Sequence, residues 1–303
     1  MPILPGILNY IHSYIAIYKN TNTHTHTKST QKVRNMKVPV KAIFLGGGVF
    51  VGGTFVAFNI FANKNELKKQ HQHEVEMINN EHNGACCAIS EQSRRVAFNG
   101  GATTYDEDIG TDEMVMGLPL IRRFFIGWNS QGRVLEIAAG TGRNLKYYDF
   151  DKVSLTSLDC SKEMNDIAEA KAKQLKVPKK RFQSFVMDGE NLKFPDNTFD
   201  TIVDTFGLCS FENPDKVLKE MQRVCKKNGQ ILLLEHGKSH YDWLNNILDS
   251  NVVRHAERWG CIWNRDINKL IEDSQMEIKD VTRWHFGTTY VIKGKPSGIW
   301  KEL

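Results

Sequence analysis

An apolar run that ends near a carboxylate and passes directly into a glycine-rich turn constrains this chain more than any other feature. The run covers residues 133–137 and contains Glu136, and the turn after it contains Gly140 and Gly142. This order is typical of a buried strand, a sharp turn and backbone that approaches a ligand too closely for side chains. A second acidic strand end follows at Asp159. We therefore expect an α/β sheet whose first two strands bind opposite polar ends of one ligand.

Strand-like and helical patterns alternate from about residue 95 onwards. Strand-like runs cover residues 133–137, 153–158, 182–187, 200–206 and 230–235, and helical periods cover 143–150, 161–175 and 213–227. A βαβ series of this kind predicts a parallel sheet with right-handed crossovers. Near the C-terminus, Asn264 is expected to cap a helix over 265–274. Residues 277–286 and 288–293 flank Gly287, which predicts an antiparallel hairpin at the sheet edge.

The N-terminal part of the chain has a different composition. Residues 1–65 contain seven basic residues and no acidic ones, and residues 42–63 carry no charge. A run of 22 uncharged residues is long enough to cross a bilayer as a helix, and Gly48 and Gly52 give it one close-packing GxxxG pair. We predict an import-like segment at 1–38, a transmembrane helix at 39–63, a polar stalk at 64–94 and a folded domain at 95–303.

The location of the chain is predicted from the same N-terminal residues. The acid-free segment before the span is similar to a mitochondrial import sequence, and an uncleaved signal anchor for the endoplasmic reticulum is the alternative. Slightly more basic residues precede the span than follow it. The positive-inside rule then predicts a single-pass protein of the mitochondrial inner membrane whose domain faces the intermembrane space.

The charges and cysteines of the remaining chain exclude two kinds of site. Once the seven N-terminal residues are removed, 33 of the 40 basic residues remain against 35 acidic ones. A near-neutral domain lacks a broad phosphate-binding face, so no nucleic-acid partner is expected. The six cysteines show neither CxxC nor zinc-finger spacing. We therefore predict no metal site and assign to the core the three cysteines that lie in or beside apolar runs.

Two common nucleotide-binding motifs are absent from the glycine-rich turn. A dinucleotide-binding turn requires a third glycine where Leu145 stands, and a Walker loop requires Gly-Lys-Ser/Thr. The pattern that remains, Glu-x-Ala-x-Gly-x-Gly from Glu136 to Gly142, resembles the first motif of class I S-adenosylmethionine-dependent methyltransferases. Ala138 stands where the family often has a glycine, which costs about 1 kcal/mol if that position needs a positive φ.

Further motifs in the same order extend this resemblance over residues 95–300. Asp159 to Met164 resembles the second-strand motif, Asp188-Gly189 the adenine contact, residues 192–200 the approach to the fourth strand, and 224–235 the fifth strand. The resemblance implies a Rossmann-like sheet of seven strands, mostly parallel with one antiparallel edge strand. It implies S-adenosyl-L-methionine as cofactor, bound by Glu136, Ala138, Gly140, Gly142, Asp159, Met164, Asp188, Gly189 and Thr205.

The acceptor of the methyl group is only partly constrained by the sequence. No catalytic residue is obligatory, because the cofactor's methyl group is already electrophilic. His236, at the predicted end of the fifth strand, is the best candidate for a general base, with a structural role as the alternative. The Asn-Pro-Pro-Tyr motif of amino methyltransferases is absent. The segments expected to cover the site carry Phe206, Trp243, Trp259 and Trp263, so we expect a small or lipophilic acceptor.

Two local stretches narrow the resemblance further. Residues 95–123 and 259–266, together with the predicted anchor, are similar to the fungal mitochondrial inner-membrane methyltransferase-like proteins. They also resemble membrane-anchored thiol methyltransferase-like proteins of animals and quinone C-methyltransferases. One hypothesis is therefore a membrane-anchored methyltransferase. The alternative is a cofactor-binding or degenerate methyltransferase-like domain that assists respiratory-complex assembly, together with assembly partners, without catalysis.

Overall fold

The structure is a computed structural model that describes residues 98–297. The predicted import segment, transmembrane helix and stalk, at residues 1–94, lie outside the described residues. Within 98–297, no helix combines the length and apolar character that crossing a bilayer requires.

Seven strands form a single sheet. They are β1 (Gly132–Ile137), β2 (Val153–Asp159), β3 (Phe182–Val186), β4 (Phe199–Thr205), β5 (Cys225–His236), β6 (Glu277–Trp284) and β7 (Thr289–Lys295), in the order β3-β2-β1-β4-β5-β7-β6. Strands β1 to β5 pair in parallel, and β7 pairs antiparallel with both β5 and β6. The predicted seven-stranded sheet, mostly parallel with one antiparallel strand in the hairpin at its edge, is confirmed. Because the hairpin folds back, β7 pairs with β5 and β6 is outermost.

The central strands are apolar runs because both of their faces are covered. Neighbouring residues on one strand pack on opposite faces, so Leu135 and Ile202 belong to one buried cluster while Val134 and Val203 belong to the other. Parallel strands covered in this way lack the alternation of apolar and polar residues seen in half-exposed strands. By contrast, β6 is exposed along most of its length, as expected for an outermost strand.

Helices and helical turns connect the strands and cover the sheet. They are α1 (Tyr105–Val115), α2 (Leu118–Ile121) with the π-helical turn Arg122–Gly127, α3 (Lys162–Gln174), α4 (Pro214–Val224), α5 (Asp242–Ser250), α6 (Val252–Trp259) and α7 (Ile267–Asp273), with 3-10 turns at Leu145–Tyr147 and Lys179–Arg181. Ser161 begins α3 by accepting a hydrogen bond from the Met164 amide at 3.1 Å. Proline at the first position begins α4, where its missing N–H costs nothing.

Two local predictions were wrong. The helix predicted at 143–150 is only the 3-10 turn Leu145–Tyr147, because the flanking Asn144 and Tyr148 turn inward to bind Glu136. The cap of α7 is Asp266, whose carboxylate accepts from the Lys269 amide at 3.1 Å. The predicted cap, Asn264, lies outside the helix and donates instead to the carboxylate of Asp249 at 2.7 Å.

Candidate active site

A cavity of about 550 Å³ opens at the carboxyl ends of the parallel strands. Its wall includes Ala138 and Gly140 after β1, Asp159 at the end of β2, Thr205 at the end of β4 and His236 at the end of β5. Its volume falls within the range of about 300–1,000 Å³ that is usual for small-molecule sites. The strand order changes direction between β1 and β4, the position where open α/β sheets bind ligands.

The turn after β1 has the backbone geometry that its glycines predict. Gly140 and Gly142 have φ values of 53° and 73°. A Cβ atom on Gly142 would lie 2.6 Å from the Leu145 side chain, so no other residue fits there without displacement. Ala138 also has a positive φ, of 49°. Because this position does need a positive φ, the alanine adds about 1 kcal/mol of conformational strain to the turn.

Asp159 links the first two strand ends. One of its carboxylate oxygens accepts from the Gly140 amide and the other from the Ser161 amide, both at 2.9 Å. Burial raises the pKa of Asp159, although these backbone hydrogen bonds oppose the shift. The side chain still lines the cavity, so it is held in one orientation while remaining available to a ligand.

The turn after β3 provides a second rigid wall. Asp188 accepts from the Glu190 amide at 2.9 Å, and both Asp188 and Gly189 line the cavity. A Cβ atom on Gly189 would lie 2.9 Å from the Phe211 ring and 3.0 Å from the Ile137 side chain. Close packing therefore requires glycine at this position, independently of any ligand.

Glu136 and Gly142, both predicted to contact the cofactor, do not line the cavity, whereas the seven other predicted binding residues do. Glu136 is only 1% exposed; its carboxylate accepts from Asn144 at 2.8 Å and from the Tyr148 hydroxyl at 2.9 Å. Burial raises the pKa of Glu136 to about 7, against the effect of those two hydrogen bonds. Glu136 therefore lies beneath the turn and supports it.

A buried polar network attaches α1 and α2 to this turn, and sequence reasoning had assigned it no role. Arg122 donates to Glu113 at 2.8 Å, to Asn144 at 2.7 Å and to Thr205 at 3.1 Å. Arg143, in the turn, forms ion pairs with Glu113 at 2.7 Å and with Asp106 at 2.8 Å. The sequence shows only two opposite charges nine residues apart, Glu113 and Arg122, and the structure connects them to Glu136 through Asn144.

His236 belongs to a cluster that the sequence did not reveal. Its Nε2 atom lies 2.8 Å from the sulfur of Cys261, and these two atoms and the Cys209 sulfur all lie within 4.8 Å of one another. A hydrogen bond from Cys261 and the nearby His236 hold the pKa of Cys209 well below its usual range. Both cysteines are buried, and they line the cavity together with His236.

Another part of the cavity wall is aromatic. The four aromatic residues expected over the site, Phe206, Trp243, Trp259 and Trp263, all line it. Trp243 is 50% exposed, and its ring lies 6.4 Å from that of Phe286, which also lines the cavity. The cavity therefore joins a polar region around the turns to an apolar region that reaches the surface.

Comparison with known proteins is consistent with this geometry. Residues 135–233 match a family model described as a methyltransferase domain. The chain is 38% identical over 217 residues to the mitochondrial methyltransferase OMS1 of Saccharomyces cerevisiae, which covers 66% of this chain and 46% of that protein. The chain therefore matches less than half the length of this relative.

Two bacterial relatives are matched over most of their length. One is a phosphatidylethanolamine N-methyltransferase of Cereibacter sphaeroides, 40% identical over 154 residues, or 50% of this chain and 73% of that protein. The other is a ubiquinone/menaquinone biosynthesis C-methyltransferase of Cellvibrio japonicus, 34% identical over 212 residues, or 65% of this chain and 80% of that protein.

Proposed function

Since this chain belongs to the class I S-adenosylmethionine-dependent methyltransferases, we propose that it methylates a small or lipophilic acceptor from an anchored position in the mitochondrial inner membrane. The observation that carries this proposal is the cavity, in which polar turns at the strand ends meet an aromatic wall. An apolar acceptor needs a concave, largely aromatic site of this kind.

The polar region fits S-adenosylmethionine, which supplies a methyl group made electrophilic by a positively charged sulfur. Asp159 would accept from the ribose hydroxyls, since its carboxylate is held by two backbone amides and still lines the cavity. Asp188 and Gly189 would contact the adenine, and Ala138, Gly140, Met164 and Thr205 would complete the wall. Glu136 and Gly142 would act indirectly by fixing the turn.

The aromatic region fits the acceptor. Phe206 follows β4 and lies beside His236, with 5.3 Å between their ring centroids. Trp243 and Phe286 are partly exposed where the cavity wall reaches the surface, so an apolar molecule could enter between rings. Two relatives are named for methylation of a membrane lipid and of a quinone, both of which are lipophilic.

His236 remains the proposed catalytic residue. Its imidazole lines the cavity, where it would accept the acceptor's proton. The protein's further contribution is to orient donor and acceptor and to exclude water.

The proposed location depends on the N-terminal residues and on the yeast relative. That relative is named as mitochondrial, and residues 42–63 of this chain are uncharged. In the proposed arrangement, an import-like segment at 1–38 precedes a transmembrane helix at 39–63 and a stalk at 64–94. The domain at 95–303 faces the intermembrane space. Anchoring would also raise the local concentration of a lipophilic acceptor.

The test is methyl transfer from cofactor labelled on its methyl group. The full chain is incubated with a mitochondrial lipid extract or with RNA, and the label is then partitioned between organic and aqueous phases. We expect label in the organic phase. Asp159→Asn should strongly reduce this label, and the matched surface variant Asp166→Asn should leave it unchanged. Label in RNA, or salt-sensitive RNA binding, would contradict the proposed acceptor class.

The alternative function is a non-catalytic domain that assists assembly of respiratory complexes. The positive φ of Ala138 favours it, because an active cofactor turn would be expected to avoid that strain. The Glu136→Ala, Asp159→Ala double variant separates the two functions. Full rescue of a deletion phenotype by this variant supports the assembly function, and failure to rescue supports methyl transfer.

A further inference from the structure

We propose that Cys209, His236 and Cys261 form a zinc site with one coordination position open to the cavity. The three donor atoms come from three separate segments and lie within 4.8 Å of one another. Two thiols and an imidazole are donors that zinc prefers, and a Cys₂His set with a fourth open position is typical of catalytic zinc rather than structural zinc.

The distances between the donor atoms fit a metal ion after a small adjustment. Zinc binds sulfur at about 2.3 Å and nitrogen at about 2.0–2.1 Å, so tetrahedral geometry separates two sulfurs by about 3.8 Å and sulfur from nitrogen by about 3.6 Å. The 2.8 Å contact between His236 and Cys261 would therefore lengthen by about 0.8 Å, and a metal bond would replace that hydrogen bond.

The backbone already holds the two cysteine segments together. The Ile262 amide donates to the carbonyl of Cys209 at 3.0 Å, and Arg265 donates to the same carbonyl at 3.4 Å. His236 is fixed separately, at the end of β5, where it pairs with Thr289 of β7. These contacts involve the Cys209 carbonyl and the backbone of His236, and none of them uses the side chains of the three proposed ligands. The fold therefore sets the backbone positions from which the donor atoms extend.

All three residues line the cavity, so we place the open position on the cavity side. This part of the inference rests on the proposed function: the ligand for that position is an acceptor with a thiol group. On coordination a zinc–sulfur bond forms, the S–H bond breaks and the proton leaves to water, so that a thiolate is held in the cavity. With zinc bound, His236 serves as a metal ligand in place of the general-base role proposed above, because its Nε2 lone pair is occupied; the general-base role then belongs to the metal-free protein only.

The first test measures the metal directly. The full chain and its variants are loaded with zinc alone, dialysed, and analysed for bound metal. We expect about one zinc per chain in the unmodified protein, and less than one tenth of that in Cys209→Ser and Cys261→Ser. The matched control is Cys225→Ser, which replaces a buried cysteine at the start of β5 and should retain the zinc. Equal zinc content in all four proteins, or no zinc in the unmodified protein, would overturn the proposal.

A second test does not depend on the folding of any variant. Cobalt is titrated into the metal-free full chain, and a sulfur-to-cobalt charge-transfer band is expected to saturate at one equivalent. Added thiophenol should then change that band, because it occupies the open position. A disulfide between Cys209 and Cys261 in protein purified without oxygen, or no cobalt band, would overturn the site. A band that thiophenol leaves unchanged would overturn the open position.

Failure of this inference can be distinguished from failure of the proposed function. If the metal-free protein transfers methyl groups to a lipophilic acceptor at the same rate as the zinc-loaded protein, the zinc role is wrong and the proposed function stands. If the protein binds one zinc but does not bind S-adenosylmethionine, the zinc site stands and the proposed function fails.

Discussion

Single residues determine the strain and the ionisation of the turn after β1. Ala138 is held at a φ of 49°, a conformation that glycine adopts without cost. We predict that Ala138→Gly raises the free energy of unfolding by about 1 kcal/mol, measured by urea denaturation. The matched control is the neighbouring Ala139→Gly, which removes a buried methyl group without relieving a positive φ and should lower stability. Destabilisation by both substitutions would show that Ala138 is not strained.

Glu136 should give stability a specific dependence on pH. Its pKa is raised from 4.5 to about 7, so the unfolded chain loses this proton first as the pH rises. The wild type should therefore lose about 3 kcal/mol relative to Glu136→Gln between pH 4.5 and pH 7, and little more above pH 7. Denaturation of both proteins at a series of pH values measures the difference. A constant difference over this range would mean that the pKa of Glu136 is not raised in the folded protein.

At the scale of secondary-structure elements, Arg122 attaches α1 and α2 to the ends of the strands. It is 3% exposed and bonds to Glu113, Asn144 and Thr205. We predict that Arg122→Met lowers the free energy of unfolding by about 3 kcal/mol, because its buried partners lose their donor. The exposed neighbour Arg123→Met should change stability by less than about 0.5 kcal/mol. Similar effects of the two substitutions would show that the network does not hold these helices.

The strands could be predicted from the sequence more reliably than the elements that cover the cavity. Buried parallel strands are continuous apolar runs with acidic or glycine-rich ends, so the predicted runs at 153–158 and 200–206 differ by one residue at most at each end from β2 and β4. Helices α5 and α6 were not predicted. Both are short, and their apolar residues line the cavity as well as the core, so the apolar positions do not mark one core-facing side of a helix. Their positions depend on tertiary contacts such as the hydrogen bond from Trp263 to Leu248.

The candidate site also contains residues that the sequence predicted and residues that it did not. Asp159, Asp188 and the glycines are adjacent in sequence to strand ends, so their motifs predicted that they would meet at one edge of the sheet. Cys209, His236 and Cys261 come from segments at least 25 residues apart, and no spacing rule connects them. The role of Glu136 beneath the turn was also not predictable, because it depends on Asn144 and Tyr148 turning inward.

For the whole molecule, we predict a membrane protein whose catalytic domain is not itself embedded in the bilayer. We expect the full chain to stay in the membrane pellet after carbonate extraction, through residues 42–63. A chain that starts at residue 95 should appear in the supernatant. Full release of the intact chain would refute the anchor. Degradation of the domain when only the outer mitochondrial membrane is ruptured would support its predicted orientation.

The central claim is that the cavity binds S-adenosylmethionine through the residues at the strand ends. Titration calorimetry of the full chain with this cofactor tests the claim most directly. We predict saturable binding at one site, weakened by about 1–3 kcal/mol in Asp159→Asn, the range for a hydrogen bond to a charged group, and unchanged in the matched surface variant Asp166→Asn. Absence of binding at millimolar cofactor, or equal affinity in all three proteins, would contradict the assignment.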